Sequence, residues 1–254
     1  ILLEKFGADA VRNYLLSSNL LDLDSISFKD QDLQTVFRET TLLLSNIRKY
    51  IEYVFRTNQG KYPSTFQHPL NKWWLVYTQD FVYKIDQFMG SFEIQKAARL
   101  IIPYINDFST WYIRRSKDLL TEGYGLEIAA CLQKTVKMFT LSVASLQPFN
   151  TEKLWQLVRS EQDPESVHLS DFPLSNPITK KQEQLLKDMQ VLRELVSEIH
   201  AVRKNREIRV RQPLYTDLDN FKWSEEYLNL LTKECNLLDK DLSRTEGEIF
   251  EKEG

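Results

Sequence analysis

Cysteine is almost missing from this chain: Cys131 and Cys235 are the only two in 254 residues. That excludes a Cys-rich zinc cluster, argues against a disulfide framework and predicts reduced core thiols in a cytosolic protein. Histidine is equally scarce. His68, His168 and His200 fall on different predicted elements and none has a ligand-type partner at i+4, so no metal site is expected. Glycine numbers 7. None of these glycines forms a phosphate-cradling loop of either common type, and no Gly-x-Ser-x-Gly elbow is present. No apolar stretch is long enough to span a bilayer, so no membrane partner is expected. There is no excess of positive charge either: the net charge is −3. Any nucleic-acid binding must then come from local patches rather than a global field. Carboxylates are plentiful, but nothing singles out a catalytic pair. The chain reads as a binder rather than a catalyst, with no catalytic residue assigned. It opens at Ile1 rather than Met, shows no signal-peptide pattern and ends at Glu253-Gly254, which reads as a piece of a longer protein.

What the chain has is helix. With 42% hydrophobic and 12% aromatic residues it can build a real core, and its length favours one large domain plus a smaller one. Helical periodicity predicts a short helix over about 9–18 and a second from Asp30, a candidate N-cap, to about Arg56. Leu33, Phe37, Thr40, Leu44, Ile47, Ile51 and Val54 form its buried stripe. A polar loop with Gly60 and Pro63 leads to a third helix over about 69–89. Ser91 is read as the cap of a fourth that runs to about Leu120, kinked at Pro103. A fifth spans about 126–146, and Thr151 is read as the cap of a short successor. Residues 161–178 are loop-like, with Val167-His168-Leu169 as a brief extended strip.

Thr179 and Gln182 make a capping-box pattern before a long helix that places Leu185, Met189, Leu192, Val196 and Ile199 on one face. After Asn205 the period changes. Ile208-Arg209-Val210-Arg211 alternates as a strand does, and Pro213 ends it. A helix over about 224–237 and an extended piece near 248–251 complete a small α+β unit, whose boundary the change of period puts near 205–215. The organisation expected is 1–29, a first helix and linker; 30–178, a helical bundle; and 179–254, a long helix leading into the α+β unit.

The residues that carry binding chemistry are aromatic and basic. Asp107-Phe108-Ser109-Thr110-Trp111-Tyr112-Ile113-Arg114-Arg115-Ser116-Lys117 sets two rings beside three cations on one helix. Rings offer stacking faces, and guanidiniums offer bidentate phosphate contacts. An alternative stays open, in which the helix buries Trp111 and leaves its arginines in water. Arg203, Lys204, Arg206, Arg209 and Arg211 cluster within a short stretch opposed only by Glu207. They are either cations placed at a helix C-terminus or a phosphate-contacting stripe. Arg48, Lys49 and Arg56 read as a solvated face. Of the adjacent Trp73 and Trp74, one ring is expected in the core and the other partly exposed. Arg12 reads equally as an ion-pair partner or an RNA contact.

Four stretches, in order, resemble one family. Glu4-Lys5-Phe6-Gly7-Ala8-Asp9-Ala10-Val11-Arg12-Asn13-Tyr14-Leu15-Leu16-Ser17-Ser18 resembles the helix after the KMSKS loop of class I aminoacyl-tRNA synthetases. Residues 107–117 resemble the Trp-Tyr-x-Arg-Arg helix of their anticodon-binding bundle. Ser166-Val167-His168-Leu169-Ser170-Asp171-Phe172-Pro173 and Ile208-Arg209-Val210-Arg211-Gln212-Pro213-Leu214 are similar to segments of the isoleucyl-tRNA synthetases. The valyl and leucyl enzymes match the last two less well. The sequence departs from the pattern at Gln147, where Ala is usual before Pro-Phe, and at Asp118, where the family often continues with arginine.

The resemblance implies a mainly α fold: the anticodon-binding helical bundle of class I synthetases, preceded by a stem-contact helix and followed by a small α+β junction unit. It implies tRNA as partner, with Trp111, Tyr112, Arg114, Arg115, Lys117, Arg203, Lys204, Arg209 and Arg211 as the RNA-facing set. It also implies a cytoplasmic, monomeric parent that uses ATP and magnesium to join isoleucine to its tRNA. The catalytic core would lie outside this stretch, leaving the piece without cofactor or activity of its own. A helical protein-interaction scaffold without RNA binding is the competing reading.

Overall fold

A computed structural model describes residues 2–18, 29–216, 223 and 225–239. The extended piece expected near 248–251 and the residue at 224 lie outside them. The chain divides into two compact units, Ile1–Ile178 and Thr179–Gly254. Among the described residues the structure is helical apart from one pair of short strands.

In the first unit, α1 (Leu2–Phe6) and α2 (Ala8–Ser17) form one corner, with Phe6, Ala10 and Tyr14 packed on Leu33 of α3 (Asp30–Phe37). The expected second helix runs unbroken from α3 through a π-type stretch, Arg38–Leu42, into α4 (Leu43–Thr57). Leu33, Leu44, Ile47, Ile51 and Val54 of the stripe are buried, as the three-and-four spacing requires. Next come α5 (Pro69–Gly90) and α6 (Ile94–Asp107), a second π-type stretch (Phe108–Ile113), then α7 (Arg114–Thr121), α8 (Gly125–Val143) and α9 (Pro148–Val158). α5 packs along both α6 and α8, and α8 along α9. Pro103 lies inside α6, and the wider helical turn follows it at Phe108–Ile113.

The core at the centre of this unit is aromatic. Trp74 stacks on Phe108 at 4.8 Å and on Tyr112 at 5.3 Å, and Tyr104 lies nearly parallel to Phe139 at 5.0 Å. Offset rings of this kind add about 0.5–1.5 kcal/mol per pair beyond the area they bury. Trp73 and Trp74 are both buried, which corrects the expectation that one would be half exposed. Adjacent helical residues point about 100° apart. α5 has neighbours on two sides, and both directions are covered.

Three local expectations are also corrected. Ser91 closes α5 rather than opening α6: its N–H donates to the Gln87 carbonyl, and α6 starts after Glu93 without a side-chain cap. Thr151 lies buried within α9, its hydroxyl donating to the Gln147 carbonyl at 2.8 Å. The cap of α9 comes from another helix, through Asp9 of α2. Asp9 accepts from the Asn150 N–H at 2.5 Å and the Phe149 N–H at 3.3 Å. Val167–Leu169 is a 3₁₀ turn, not an extended strip. The Ser166 hydroxyl oxygen accepts from the His168 N–H, a side-chain contact that bends the backbone.

In the second unit, the Thr179–Gln182 capping box is present and starts α10 (Lys180–Asn205). Met189, Leu192, Val196 and Ile199 are buried along it. It packs on α11 (Glu225–Cys235), which lies in the chain between β1 (Leu214–Thr216) and β2 (Leu237–Asp239). The strands pair in parallel, Leu214 opposite Leu237. The strand therefore begins after Pro213, whereas the sequence placed it at 208–211. Those residues form a turn instead, with the Gln212 N–H on the Arg209 carbonyl at 3.0 Å.

Candidate nucleic-acid interface

The Trp-Tyr-x-Arg-Arg run straddles the junction between the second π-type stretch and α7, and the structure sorts its side chains by direction. Tyr112 points into the core. It is 0% exposed, stacks on Trp74 and donates its hydroxyl to Asn71 Oδ1 at 2.7 Å. Burial pushes this phenol far above its ordinary range, so it stays a neutral donor. Arg115 is 7% exposed. Its guanidinium lies 3.3 Å from the centroid of the half-buried Trp111 ring, and its Nη1 donates to the Thr110 and Trp111 carbonyls at 3.2 Å each. Arg115 and Trp111 thus lock one another one turn apart. Arg114 and Lys117 are exposed. Lys117 Nζ reaches to 6.0 Å from the Tyr50 ring of α4, and the Tyr50 hydroxyl is 2.8 Å from Ser116 Oγ. Burial, only partly offset by that hydrogen bond, pushes the Tyr50 phenol up to about 12.

The second basic group divides in the same way. Arg203 is 1% exposed and faces inward from the last turn of α10. Its Nη1 donates to the Arg209 and Gln212 carbonyls at 3.0 and 2.8 Å, and its Nη2 to the Cys235 and Asn236 carbonyls at 2.6 and 3.2 Å. Within 208–211 the Arg209 carbonyl faces this guanidinium, while the Val210 and Arg211 carbonyls accept from Asn236 Nδ2, so the segment's acceptors are taken up without a strand partner. Lys204, Arg209 and Arg211 keep exposed side chains. The structure therefore buries Tyr112, Arg115 and Arg203, each hydrogen-bonded within the protein, which takes them out of the exposed basic and aromatic set. Arg114, Lys117, Lys204, Arg209 and Arg211 remain at the surface.

Arg12 is exposed, and its charge acts on Asp9 of the same helix. Its guanidinium donates to the Ser145 carbonyl at 2.7 Å and the Leu146 carbonyl at 3.4 Å, just past the end of α8. Arg48 bridges to Glu52 at 3.0 Å, while Lys49 and Arg56 are exposed. Both cysteines are buried, and burial pushes the Cys131 thiol up to about 12. Among the described residues no three His, Cys, Asp or Glu side chains converge to hold a metal, and no helix is long and apolar enough to cross a membrane.

One feature of the surface has no counterpart in the sequence reading. Lys61 and Tyr62, in the α4–α5 loop, and Tyr124, Leu126 and Glu127, at the start of α8, line a cavity of about 550 Å³. The sequence signals only a polar loop there, because the two segments are far apart along the chain. Gly125 allows them to meet: a Cβ at that position would run into Asn58 Oδ1.

Comparison with known proteins shows what the chain is similar to. Residues 71–218 match the family described as the anticodon-binding domain of tRNA ligase. The isoleucine--tRNA ligase of Chlamydia muridarum is 33% identical over 222 residues, which cover 84% of this chain and 21% of that protein. That of Treponema pallidum subsp. pallidum is 28% identical over 234 residues, 84% of this chain and 21% of its own length. That of Chlamydia trachomatis serovar L2b is 28% identical over 251 residues, covering 96% and 24%. The chain spans about a fifth to a quarter of the length of these curated relatives. With the family matched across more than half of its length, the chain belongs to the anticodon-binding domains of tRNA ligases.

Proposed function

We propose that this chain is the anticodon-arm-binding portion of an isoleucine--tRNA ligase, a monomeric cytosolic enzyme that uses ATP to attach isoleucine to its tRNA. The observation that carries the reading is the match of residues 71–218 to the anticodon-binding family together with relatives that are isoleucine--tRNA ligases. The chemistry of activation, with ATP and magnesium, belongs to the parts of the parent that this chain does not span.

In this reading the two units grip RNA by charge and shape. Arg114 and Lys117 on α7, and Lys204, Arg209 and Arg211 at and after the end of α10, contact phosphates of the anticodon arm. Tyr112, Arg115 and Trp111 hold α7 so that its cations project. A stem is read through its backbone, whereas loop bases are splayed and can be read on their edges. The test is binding of the isoleucine tRNA to the intact ligase carrying Arg114→Ala with Lys117→Ala, measured across a salt series. Loss of two phosphate contacts lowers the slope of log K against log salt by about 1–2 and weakens binding roughly tenfold at moderate salt. Unchanged affinity and slope would overturn the assignment.

A further inference from the structure

The cavity between the α4–α5 loop and the start of α8 combines aromatic rings, a cation and a buried carboxylate. Glu127 is 8% exposed. Its Oε1 accepts from the His68 N–H at 2.9 Å and from Asn71 Nδ2 at 2.8 Å. Its Oε2 accepts no hydrogen bond from the described residues, and Glu127 lines the cavity. A carboxylate oxygen that accepts nothing from the described residues, on a side chain that lines a pocket, is able to accept an N–H or a cation from a ligand. The carboxylate is held firmly, because Asn71 also accepts from Tyr112 at 2.7 Å, giving the chain Tyr112–Asn71–Glu127 across three elements. Around it, Tyr62 and Tyr124 are half-buried, and each is braced by a second ring: Phe55 at 6.4 Å and His68 at 5.1 Å. Leu126 is 38% exposed beside them, and Lys61 is exposed at the rim.

We infer that this cavity takes one unpaired nucleobase of RNA, stacked on Tyr62, with an N–H of its Watson–Crick edge donated to Glu127 and its phosphate on Lys61. Stacking on aromatic side chains is tolerant of base identity, so selection falls to the carboxylate. Guanine presents adjacent N1–H and N2–H donors and fits best. Cytosine and adenine offer an exocyclic amine beside an acceptor. Uracil fits worst, because its single ring N–H lies between two carbonyl oxygens that face the carboxylate. The inference rests on the RNA-binding reading above and deepens it.

The test is binding of four single-stranded tetranucleotides, one of each base, to the full chain by fluorescence anisotropy, alongside its affinity for tRNA. Guanine is expected to bind most tightly and uracil least. Tyr62→Ala weakens every tetranucleotide about tenfold, the loss of one stacked base. Glu127→Gln removes the preference of guanine over uracil. Because Glu127 also caps the start of α5, its variant is read beside a thermal melt. If that variant unfolds, Tyr62→Ala and the base ranking decide alone. An equal response to all four bases, or wild-type binding by Tyr62→Ala, overturns the pocket. If tRNA binds with its full salt dependence while the pocket fails, the anticodon-arm reading stands. If neither tRNA nor tetranucleotide binds, both fall.

Discussion

Arginine does four different jobs in this chain. Arg114 lies at the surface, Arg115 lies flat on Trp111, Arg12 holds the carbonyls past the end of α8, and Arg203 holds four carbonyls in the second unit. Only the planar five-donor fork of arginine serves that last site. Burial lowers the Arg203 guanidinium from its ordinary value, but a group of that basicity stays charged at any pH where the protein folds. Arg203→Met leaves the Arg209, Gln212, Cys235 and Asn236 carbonyls without their shared donor. It is expected to destabilise the second unit by about 3 kcal/mol, with Arg203→Lys in between, measured by urea unfolding. An RNA-contacting arginine would show the opposite signature, a reduced salt slope at unchanged stability. The sequence showed that residues 203–211 are basic. It did not show that the first of those cations is internal, since exposure depends on what packs over the end of α10.

Helices were the most legible level. Their periods, the capping box at Thr179 and the stripe along α3 and α4 are all local properties, and each is in the structure. Helix ends were less legible, because here the caps arrive from far away in sequence. α2 supplies both charges for the corner between α8 and α9. Asp9 accepts from N–H groups at the start of α9, and Arg12 donates to carbonyls past the end of α8, each with the sign that the helix dipole favours. Burial raises the Asp9 carboxyl above its ordinary value, and the two backbone N–H groups pull it back only in part. Asp9→Ala is expected to cost about 1–2 kcal/mol at neutral pH by thermal denaturation, and Asp9→Asn, which keeps one acceptor, less. The candidate cap at Thr151 was a reasonable local reading. It failed because a threonine inside a helix bonds back to the carbonyl four residues earlier just as readily as it caps.

At the scale of the whole molecule, the match to the anticodon-binding family and the exposed cations of both units support the proposed tRNA-holding role. If the chain belongs to an isoleucine--tRNA ligase as proposed, the intact ligase charges isoleucine tRNA about a hundredfold or more better than valine or leucine tRNA transcripts, checked by aminoacylation of all three. Equal charging would reassign the parent to a sibling enzyme. By itself the sequence determined a mainly helical chain, the faces that its helices bury and the family to which its ordered motifs point. These follow from 3.6-residue periodicity and from motifs contiguous along the chain. Tertiary structure alone decided which basic and aromatic side chains meet solvent. It turned Tyr112, Arg115 and Arg203 inward, left Arg114 and Lys117 outside, and assembled Lys61, Tyr62, Tyr124 and Glu127 around one cavity. The reason is physical: burial depends on contacts between segments distant in sequence, which no local pattern encodes.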